Sequence, residues 1–310
     1  MMTQTLERVR RLSPQQKGLL LERIQAYRVP PPPLRWSPLV PLQPNERGEP
    51  IYFVHPMGSA LFFYLPLLKQ MGSQYNLHGI QGHGLDDEQP AMDSIPAMAS
   101  CYLEAIKERR LRLPLHLVGY SMGGLIAFEM AQQLRRQGGS VGLLALIDSY
   151  AFTKRIPYPG KEIKDEDERL LTRLAMTLDA GQSRHLRRVL KPMASNRERI
   201  DHVVQLAKQA GKVPGSYSVT DLRRMFDSYD AHLSAVENYH PQPYAGKVFF
   251  LQCQDTSDTH SIPSLPWNKL VPSGLIQQRV AGKHSTVMNE PQVQGVATCL
   301  RLALKSVGIE

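Results

Sequence analysis

Cysteine is scarce in this sequence: its 310 residues include three, Cys101, Cys253 and Cys299. They are odd in number and far apart, whereas disulfide-rich secreted domains and zinc sites use paired or closely spaced cysteines. We therefore expect neither a disulfide framework nor a metal site. The same scarcity favours a protein of the reducing cytoplasm.

Long apolar runs are lacking too. No stretch approaches the roughly 18 consecutive apolar residues that a membrane span requires. Residues 1–11 are charged and lack the apolar core of a signal peptide. We expect no membrane span.

The basic clusters typical of nucleic-acid binding are also lacking. The net charge is +9, but no basic run is interleaved with aromatic residues and no helix-turn-helix pattern is present. We therefore expect no nucleic-acid partner. The excess charge either serves general solubility or attracts an acidic partner surface.

What the sequence does contain is an alternation of short apolar segments and helical patterns. It predicts strands at 51–54, 76–81, 115–118, 141–147, 247–252 and 275–280, and helices at about 61–71, 94–110, 122–137 and 291–307. This alternation is typical of an α/β protein with a mostly parallel sheet and helices on both faces. Residues 151–240 carry helical stretches but no convincing strand, which predicts a helical lid inserted over the strand ends.

The N-terminal segment has a different pattern. Residues 5–27 predict an amphipathic helix, and the four prolines at 30–33 predict a stiff, extended spacer. We therefore divide the chain into a helix and proline-rich linker, 1–37, and a main domain, 38–310. The helix either docks a partner, packs on the core or is a remnant of a domain boundary.

The motif Gly119-Tyr120-Ser121-Met122-Gly123 fits G-x-S-x-G, the nucleophile elbow. The motif alone is common by chance, but here a predicted strand precedes it and a predicted helix follows it. In such an elbow the glycines relieve crowding between strand and helix, and the strained turn exposes the serine hydroxyl. Ser121 is therefore the candidate nucleophile.

A serine nucleophile needs a histidine base oriented by a carboxylate, and on this fold the order is serine, acid, histidine. His284 follows the strand at 275–280, which is the expected place for the base. Three other histidines also follow the serine and are rival bases in chain order, but they lie in helix or loop stretches with no strand directly before them: His232, His240 and His260. Two histidines precede the serine, His55 and His83, and we expect these to shape the pocket floor or to donate hydrogen bonds.

Two aspartates compete as the acid, because each follows a predicted strand. Asp148 ends the strand at 141–147, and Asp255 follows the strand at 247–252, with Asp258 a weaker third candidate. Chain order alone leaves this choice open. An oxyanion also needs backbone N–H donors, for which we select Met122, directly after the nucleophile, and Met57 in the loop after the first strand.

Four segments resemble the thioesterase domains that end non-ribosomal peptide and polyketide assembly lines. They are "IYFVHPMGS" at Ile51–Ser59, "VGYSMGG" at Val118–Gly124, "LIDSY" at Leu146–Tyr150 and "GKH" at Gly282–His284. The resemblance runs from about residue 38 to the C-terminus and is weak in the lid. One departure is Gly58-Ser59, where the family often has two glycines.

The resemblance implies an α/β-hydrolase fold and a substrate acyl chain, polyketide or peptide, delivered as a thioester on the phosphopantetheine arm of an acyl or peptidyl carrier protein. It implies no cofactor of the protein's own. Ser121 would take the acyl group, and His284 would protonate the leaving thiol. Water would then release an acid, or an internal nucleophile a ring. In the family the acid commonly follows the strand after the elbow helix, which favours Asp148, although related editing thioesterases keep Asp255 open.

Two other functions fit the same residues. The chain could be a free-standing esterase or lipase acting on small soluble esters, or a non-catalytic scaffold of the same fold. The lid also carries many cations, which either form a docking surface for an acidic carrier protein or simply face solvent. They include Arg173, Arg184, Arg187, Arg188, Lys191, Arg197 and Arg199.

Overall fold

The computed structural model describes residues 36–45, 48–85, 89–109, 112–154, 163–177, 195–257 and 263–309. The chain divides into two units, Met1–Ser37 and Pro38–Glu310. The predicted N-terminal helix and proline spacer lie outside the described residues. The fold below is that of the second unit.

Seven strands of this unit form one sheet. They are β1 (Leu39–Gln43), β2 (Pro50–Val54), β3 (Asn76–Ile80), β4 (Leu115–Tyr120), β5 (Val141–Ile147), β7 (Val248–Cys253) and β9 (Leu275–Val280). Two further strands, β6 (Ala151–Phe152) and β8 (Ser264–Leu265), pair separately in antiparallel fashion. The order in the sheet is β1-β3-β2-β4-β5-β7-β9, and every neighbouring pair except β1–β3 is parallel.

Helices connect the strands. A 3-10 turn at Phe62–Tyr64 leads into α1 (Leu65–Met71), and the sheet helices that follow are α2 (Ile95–Glu108), α3 (Met122–Arg136) and α8 (Val293–Lys305). The described residues between β6 and β7 form α4 (Glu166–Thr177), α5 (Asn196–Gln209) and α6 (Val219–Glu237), and α7 (Trp267–Leu270) is a single turn.

The central strands are buried on both sides, because successive side chains point to opposite faces of the sheet. Tyr52 and Val54 pack in one core with α2 and α3, whereas Ile51 and Phe53 pack in another with α1 and α8. Strands covered on both faces are continuously apolar, as β4 and β5 are. The predicted mostly parallel sheet with helices on both faces is confirmed.

The edge strand β1 was not predicted. Pro41 interrupts its short apolar pattern, and proline has no N–H to donate to a central ladder. An edge strand tolerates this, since it pairs on one side. Here β1 pairs with β3, opposite His78.

The segment 151–240 contains α4, α5 and α6, which share a core of their own built around Leu174, Val203 and Leu222. The segment is not purely helical: Ala151–Phe152 forms a two-residue strand with Ser264–Leu265. Such a short pairing leaves no periodic signal in the sequence. Residues 155–162 and 178–194 of the predicted lid lie outside the described part of the chain.

The sheet order reverses at β2, and this reversal marks the position of a crevice. From β2 the chain moves to β3 on one side, and then to β4 on the other side of β2. Ligands of open α/β sheets bind at the carboxyl ends of the strands where the order reverses in this way. The loop after β2 and the turn after β4 therefore meet there. Among the described residues, no helix has the length and apolar character needed to cross a membrane.

Candidate active site

Ser121 stands at the sharp turn between β4 and α3. Its backbone has φ 56° and ψ −128°, in a region that side-chain-bearing residues rarely occupy. The surrounding backbone leaves no room for side chains: a Cβ on Gly119 would overlap the carbonyl of Gly123, and one on Gly123 would overlap the carbonyl of Val54. These close approaches explain why glycine occupies both motif positions.

The structure brings Ser121, His284 and Asp148 together from three different loops. His284 Nε2 lies 3.0 Å from Ser121 Oγ, and His284 Nδ1 lies 2.8 Å from Asp148 Oδ2. Because an ionised carboxylate only accepts, Nδ1 carries the proton and Nε2 is left to accept from the serine hydroxyl. This is the geometry that general-base activation of a serine requires.

Asp148 is fully buried and has φ 44°. Its Oδ1 accepts hydrogen bonds from the backbone N–H of Cys253, at 2.9 Å, and from the hydroxyl of Tyr150, at 2.8 Å. Burial alone would raise the pKa of Asp148, but the hydrogen bonds from His284, Cys253 and Tyr150 together hold it below its ordinary value. The carboxylate is thus kept ionised without contact with water.

The imidazole of His284 is held by Tyr120 as well. The two rings stack with centroids 5.1 Å apart, and the Tyr120 hydroxyl donates to the backbone carbonyl of His284 at 2.6 Å. Tyr120 is one of the two variable positions of the elbow motif. The same strand therefore carries the nucleophile and orients the histidine.

One hydroxyl ties the two strand ends at the crevice. Tyr64 Oη donates to the carbonyl of Val54 at 2.6 Å, at the end of β2, and accepts from the N–H of Tyr120 at 2.8 Å, at the end of β4. Tyr64 is fully buried, and its neighbours in the 3-10 turn, Phe62 and Phe63, line the cavity beside Ser121.

The other candidate acid and the other candidate bases lie elsewhere. Asp255 is exposed, and its carboxylate accepts the N–H of Ser257 at 2.9 Å. Asp258 and His260 are outside the described residues. His240 is exposed beyond the end of α6, whereas His55, His83 and His232 are buried.

Both candidate oxyanion donors border the crevice. Met122 is the first residue of α3, where backbone N–H groups have no partner within the helix. Met57 lies in the loop after β2. Both residues line the same cavity as Ser121, Asp148 and His284.

This cavity has a volume of about 470 Å³. That size suits a small organic chain. Its walls are mainly apolar and aromatic, from Met57, Phe62, Phe63, Leu125, Phe152, Met225, Phe226, Tyr229, Val236 and Met288.

Arg173 contributes a cation to the cavity wall and is 1% exposed. Its guanidinium donates to the carbonyl of Phe226 at 2.8 Å and to the carboxylate of Asp230 at 2.6 Å. Grouping Arg173 with surface cations of the lid was therefore wrong. Arg197 is exposed and Arg199 is half-buried. The remaining cations of that group lie outside the described residues.

Several contacts of the site were not foreseen from the sequence. Tyr150, Tyr120 and the N–H of Cys253 fix the carboxylate and the imidazole. Tyr150 has a usable signal, since it follows a strand-end aspartate by two residues. The Cys253 N–H has none, because a backbone donor exists at almost every residue.

A family model described as Thioesterase domain matches residues 49–301. A dimodular nonribosomal peptide synthase of Bacillus subtilis (strain 168) is 26% identical over 216 residues, which are 69% of this chain and 8% of that protein. The chain therefore spans less than a tenth of that relative's length.

Solved structures are similar as well. A four-domain nonribosomal peptide synthetase bound to AMP and glycine is 28% identical, with a TM-score of 0.67, over 88% of this chain and 20% of that one. The Vlm2 thioesterase domain is 20% identical, with a TM-score of 0.62, over 88% of this chain and 98% of that one. Together with the sheet order, these likenesses confirm the predicted α/β-hydrolase fold.

Proposed function

Because this chain belongs to the thioesterase domain family, we propose that it releases a polyketide or peptide acyl chain from the phosphopantetheine arm of a carrier protein. The observation that carries the proposal is the hydrogen-bonded series Ser121–His284–Asp148 at the wall of an apolar cavity. The relatedness to peptide synthetases supports an acyl or peptidyl carrier protein as partner. Cysteines are sparse and none of the three forms a disulfide, which supports a cytoplasmic setting.

In the first step, Ser121 Oγ attacks the thioester carbonyl carbon while His284 Nε2 accepts the hydroxyl proton. Asp148 stabilises the imidazolium that forms. The N–H groups of Met57 and Met122 stabilise the oxyanion of the tetrahedral intermediate. When the intermediate collapses, the C–S bond breaks, the thiol leaves with the proton from His284, and the acyl group remains as an ester on Ser121.

In the second step, a new nucleophile attacks the ester carbonyl and gives its proton to His284. That proton passes to Ser121 Oγ as the ester bond breaks. Water as nucleophile yields a free acid, and a hydroxyl or amine of the acyl chain itself yields a ring. The apolar walls around Ser121 support a chain that folds within the cavity and excludes bulk water.

The proposal is tested by mass spectrometry of the products from an acyl-loaded carrier protein. Replacing Ser121 with Ala should lower release by at least roughly a thousandfold, because the nucleophile is lost. The exposed Ser140→Ala variant is the matched control and should behave like the wild type. Release by Ser121→Ala at the wild-type rate would refute the serine mechanism.

Two comparisons separate the alternatives. Faster turnover of a soluble oxygen ester than of a carrier-bound thioester would identify an esterase instead. A wild-type protein that a fluorophosphonate does not label at Ser121 would be a non-catalytic scaffold.

A further inference from the structure

Two buried histidines lie beneath the loop that carries Met57, and the mechanism above uses neither. His55 directly follows β2 and is fully buried, and His232 belongs to α6 and is 1% exposed. Their rings stack with centroids 5.4 Å apart and an interplanar angle of 29°. The loop is thus supported by a ring from the sheet and a ring from a helix of the predicted lid.

The hydrogen bonds of His55 fix its tautomer. Its Nδ1 lies 2.8 Å from the carbonyl oxygen of Pro56, and its Nε2 lies 2.7 Å from the hydroxyl of Tyr102. A carbonyl only accepts, so Nδ1 carries the proton and Nε2 accepts from Tyr102. His55 is therefore a donor to Pro56.

This donation orients the peptide that supplies the proposed oxyanion donor. The carbonyl of Pro56 and the N–H of Met57 belong to one planar trans peptide, in which they point in opposite directions. Drawing the Pro56 carbonyl toward the buried ring of His55 directs the Met57 N–H to the other side. The donation also polarises the peptide and strengthens its N–H as a donor.

His232 fixes the following peptide in the same way. The N–H of Gly58 donates to His232 Nδ1 at 3.1 Å. An N–H only donates, so Nδ1 is the unprotonated nitrogen and the ring proton is on Nε2. The two peptides that flank the Met57 Cα are therefore each anchored by a histidine.

The close packing of Gly58 on α6 supports the same arrangement. Gly58 has φ 93°, and a Cβ there would overlap the ring of Tyr229 and crowd Met225. Met225, Tyr229 and His232 are spaced by four and three residues and so share one face of α6. This face is the platform on which the loop rests.

We infer that His232, on a helix of the predicted lid, is a positioning residue that aims the Met57 N–H at the reacting carbonyl oxygen, and that His55 assists it from the sheet. The inference rests on the proposed function and deepens it. It makes the position of α6 a condition for oxyanion stabilisation. Burial lowers the pKa of both rings, to about 4 for His55, which keeps them in the neutral forms that these hydrogen bonds require.

The test compares two replacements of His232, one that keeps the hydrogen-bond acceptor and one that keeps the ring. Asn is smaller than the ring but places an amide oxygen near the Nδ1 position, so it can accept from Gly58. Phe keeps the ring and its stacking on His55 but accepts nothing. We expect His232→Phe to lower kcat for acyl-thioester hydrolysis roughly 10- to 100-fold, a part of the loss seen when an oxyanion donor is removed. His232→Asn should retain most of kcat, and KM should change little in either variant.

Packing alone would give the reverse order, with Phe retaining activity and Asn losing it. That order, or equal activity of the two variants, overturns the inference. The exposed His240→Phe variant is the matched control and should retain the wild-type kcat. Thermal unfolding of each variant establishes that folded proteins are compared.

Two measurements keep the inference apart from the proposed function. Fluorophosphonate labelling uses the same oxyanion donors but does not need the natural substrate. The labelling rates of the His232 variants should therefore follow the same order as their kcat values. In the wild type, ¹⁵N NMR of the His232 ring should show an unprotonated Nδ1 and a protonated Nε2, and the opposite result refutes the inference. Failure of carrier-bound substrates alone, with the labelling order intact, refutes the proposed function instead.

Discussion

The Asp148 carboxylate is held in place by hydrogen bonds from its neighbours. It accepts hydrogen bonds from three groups: the imidazole of His284, the N–H of Cys253 and the hydroxyl of Tyr150. The backbone of Asp148 adopts a positive φ, which residues with a side chain rarely do. Asp255, one strand along, has an exposed carboxylate occupied by the N–H of Ser257.

Replacing Asp148 with Asn should therefore be far more damaging than replacing Asp255. Asn can donate to His284 Nδ1, which stabilises the tautomer that cannot accept the serine proton. We expect Asp148→Asn to lower kcat by roughly three to four powers of ten, and Asp255→Asn to stay within about twofold of the wild type. Steady-state hydrolysis of an acyl thioester measures both. A larger loss for Asp255→Asn would transfer the role of the acid to that residue.

For single residues, the sequence predicts most features that follow from their order relative to the strands. Ser121, His284 and both aspartates follow predicted strands, so their meeting at one sheet edge is foreseeable. The choice between the aspartates depends on backbone angles and on the N–H of Cys253, which no residue pattern encodes. His232 was foreseen only as a rival base, because its place under the loop depends on how α6 packs.

Among the described elements, α3 packs closely on the sheet. Gly119 and Gly123 let backbone meet backbone, and a Cβ on Gly124 would overlap the side chain of Ser149, just after β5. The absence of side chains at these positions lets the first turn of α3 sit directly over the strand ends.

This packing predicts a rescue. Gly124→Ala should destabilise the protein by roughly 1–3 kcal/mol through overpacking against Ser149. Ser149→Gly removes the obstructing side chain, so the double variant Gly124→Ala/Ser149→Gly should recover much of that loss. Urea unfolding of the four proteins gives the coupling free energy. Additive effects of the two substitutions would show that the contact is not the cause.

Element prediction succeeded where the periodic pattern was long and failed where pairing was short. The strands β4 and β5 and the helix α3 carry continuous apolar or helical signals. The strand β1 contains Pro41, and β6 and β8 are two residues each. Their pairing is decided by tertiary contacts rather than by their own residues.

For the whole molecule, buried neutral histidines make stability depend on pH. Burial lowers the pKa of His55 to about 4 and that of His232 well below its ordinary value of 6.5. Below pH 6.5 these histidines therefore bind protons in the unfolded chain but not in the folded protein, so the free energy of unfolding falls as the pH falls. The loss continues until the pH reaches the folded-state pKa.

We predict that the free energy of unfolding of the wild type decreases from pH 6.5 toward pH 4. Each such histidine contributes about 1.4 kcal/mol per pH unit. His55→Asn keeps a donor for Pro56 but does not titrate, so its slope should be smaller by about one proton. Urea unfolding at several pH values measures this. His240→Asn, at an exposed position, should leave the slope unchanged, and an unchanged slope in His55→Asn would contradict the prediction.

The tie made by Tyr64 has a consequence for how the cavity can diversify. Phe62 and Phe63 form part of the cavity wall, and the next residue holds the ends of β2 and β4 together through one oxygen atom. Changes in side-chain size at Phe62 or Phe63 leave that oxygen in place. Insertion or deletion of a residue in this turn would move it and break both hydrogen bonds. At this wall, therefore, substitutions can alter the range of substrates, whereas a change in the length of the turn would do so only by displacing the Tyr64 hydroxyl.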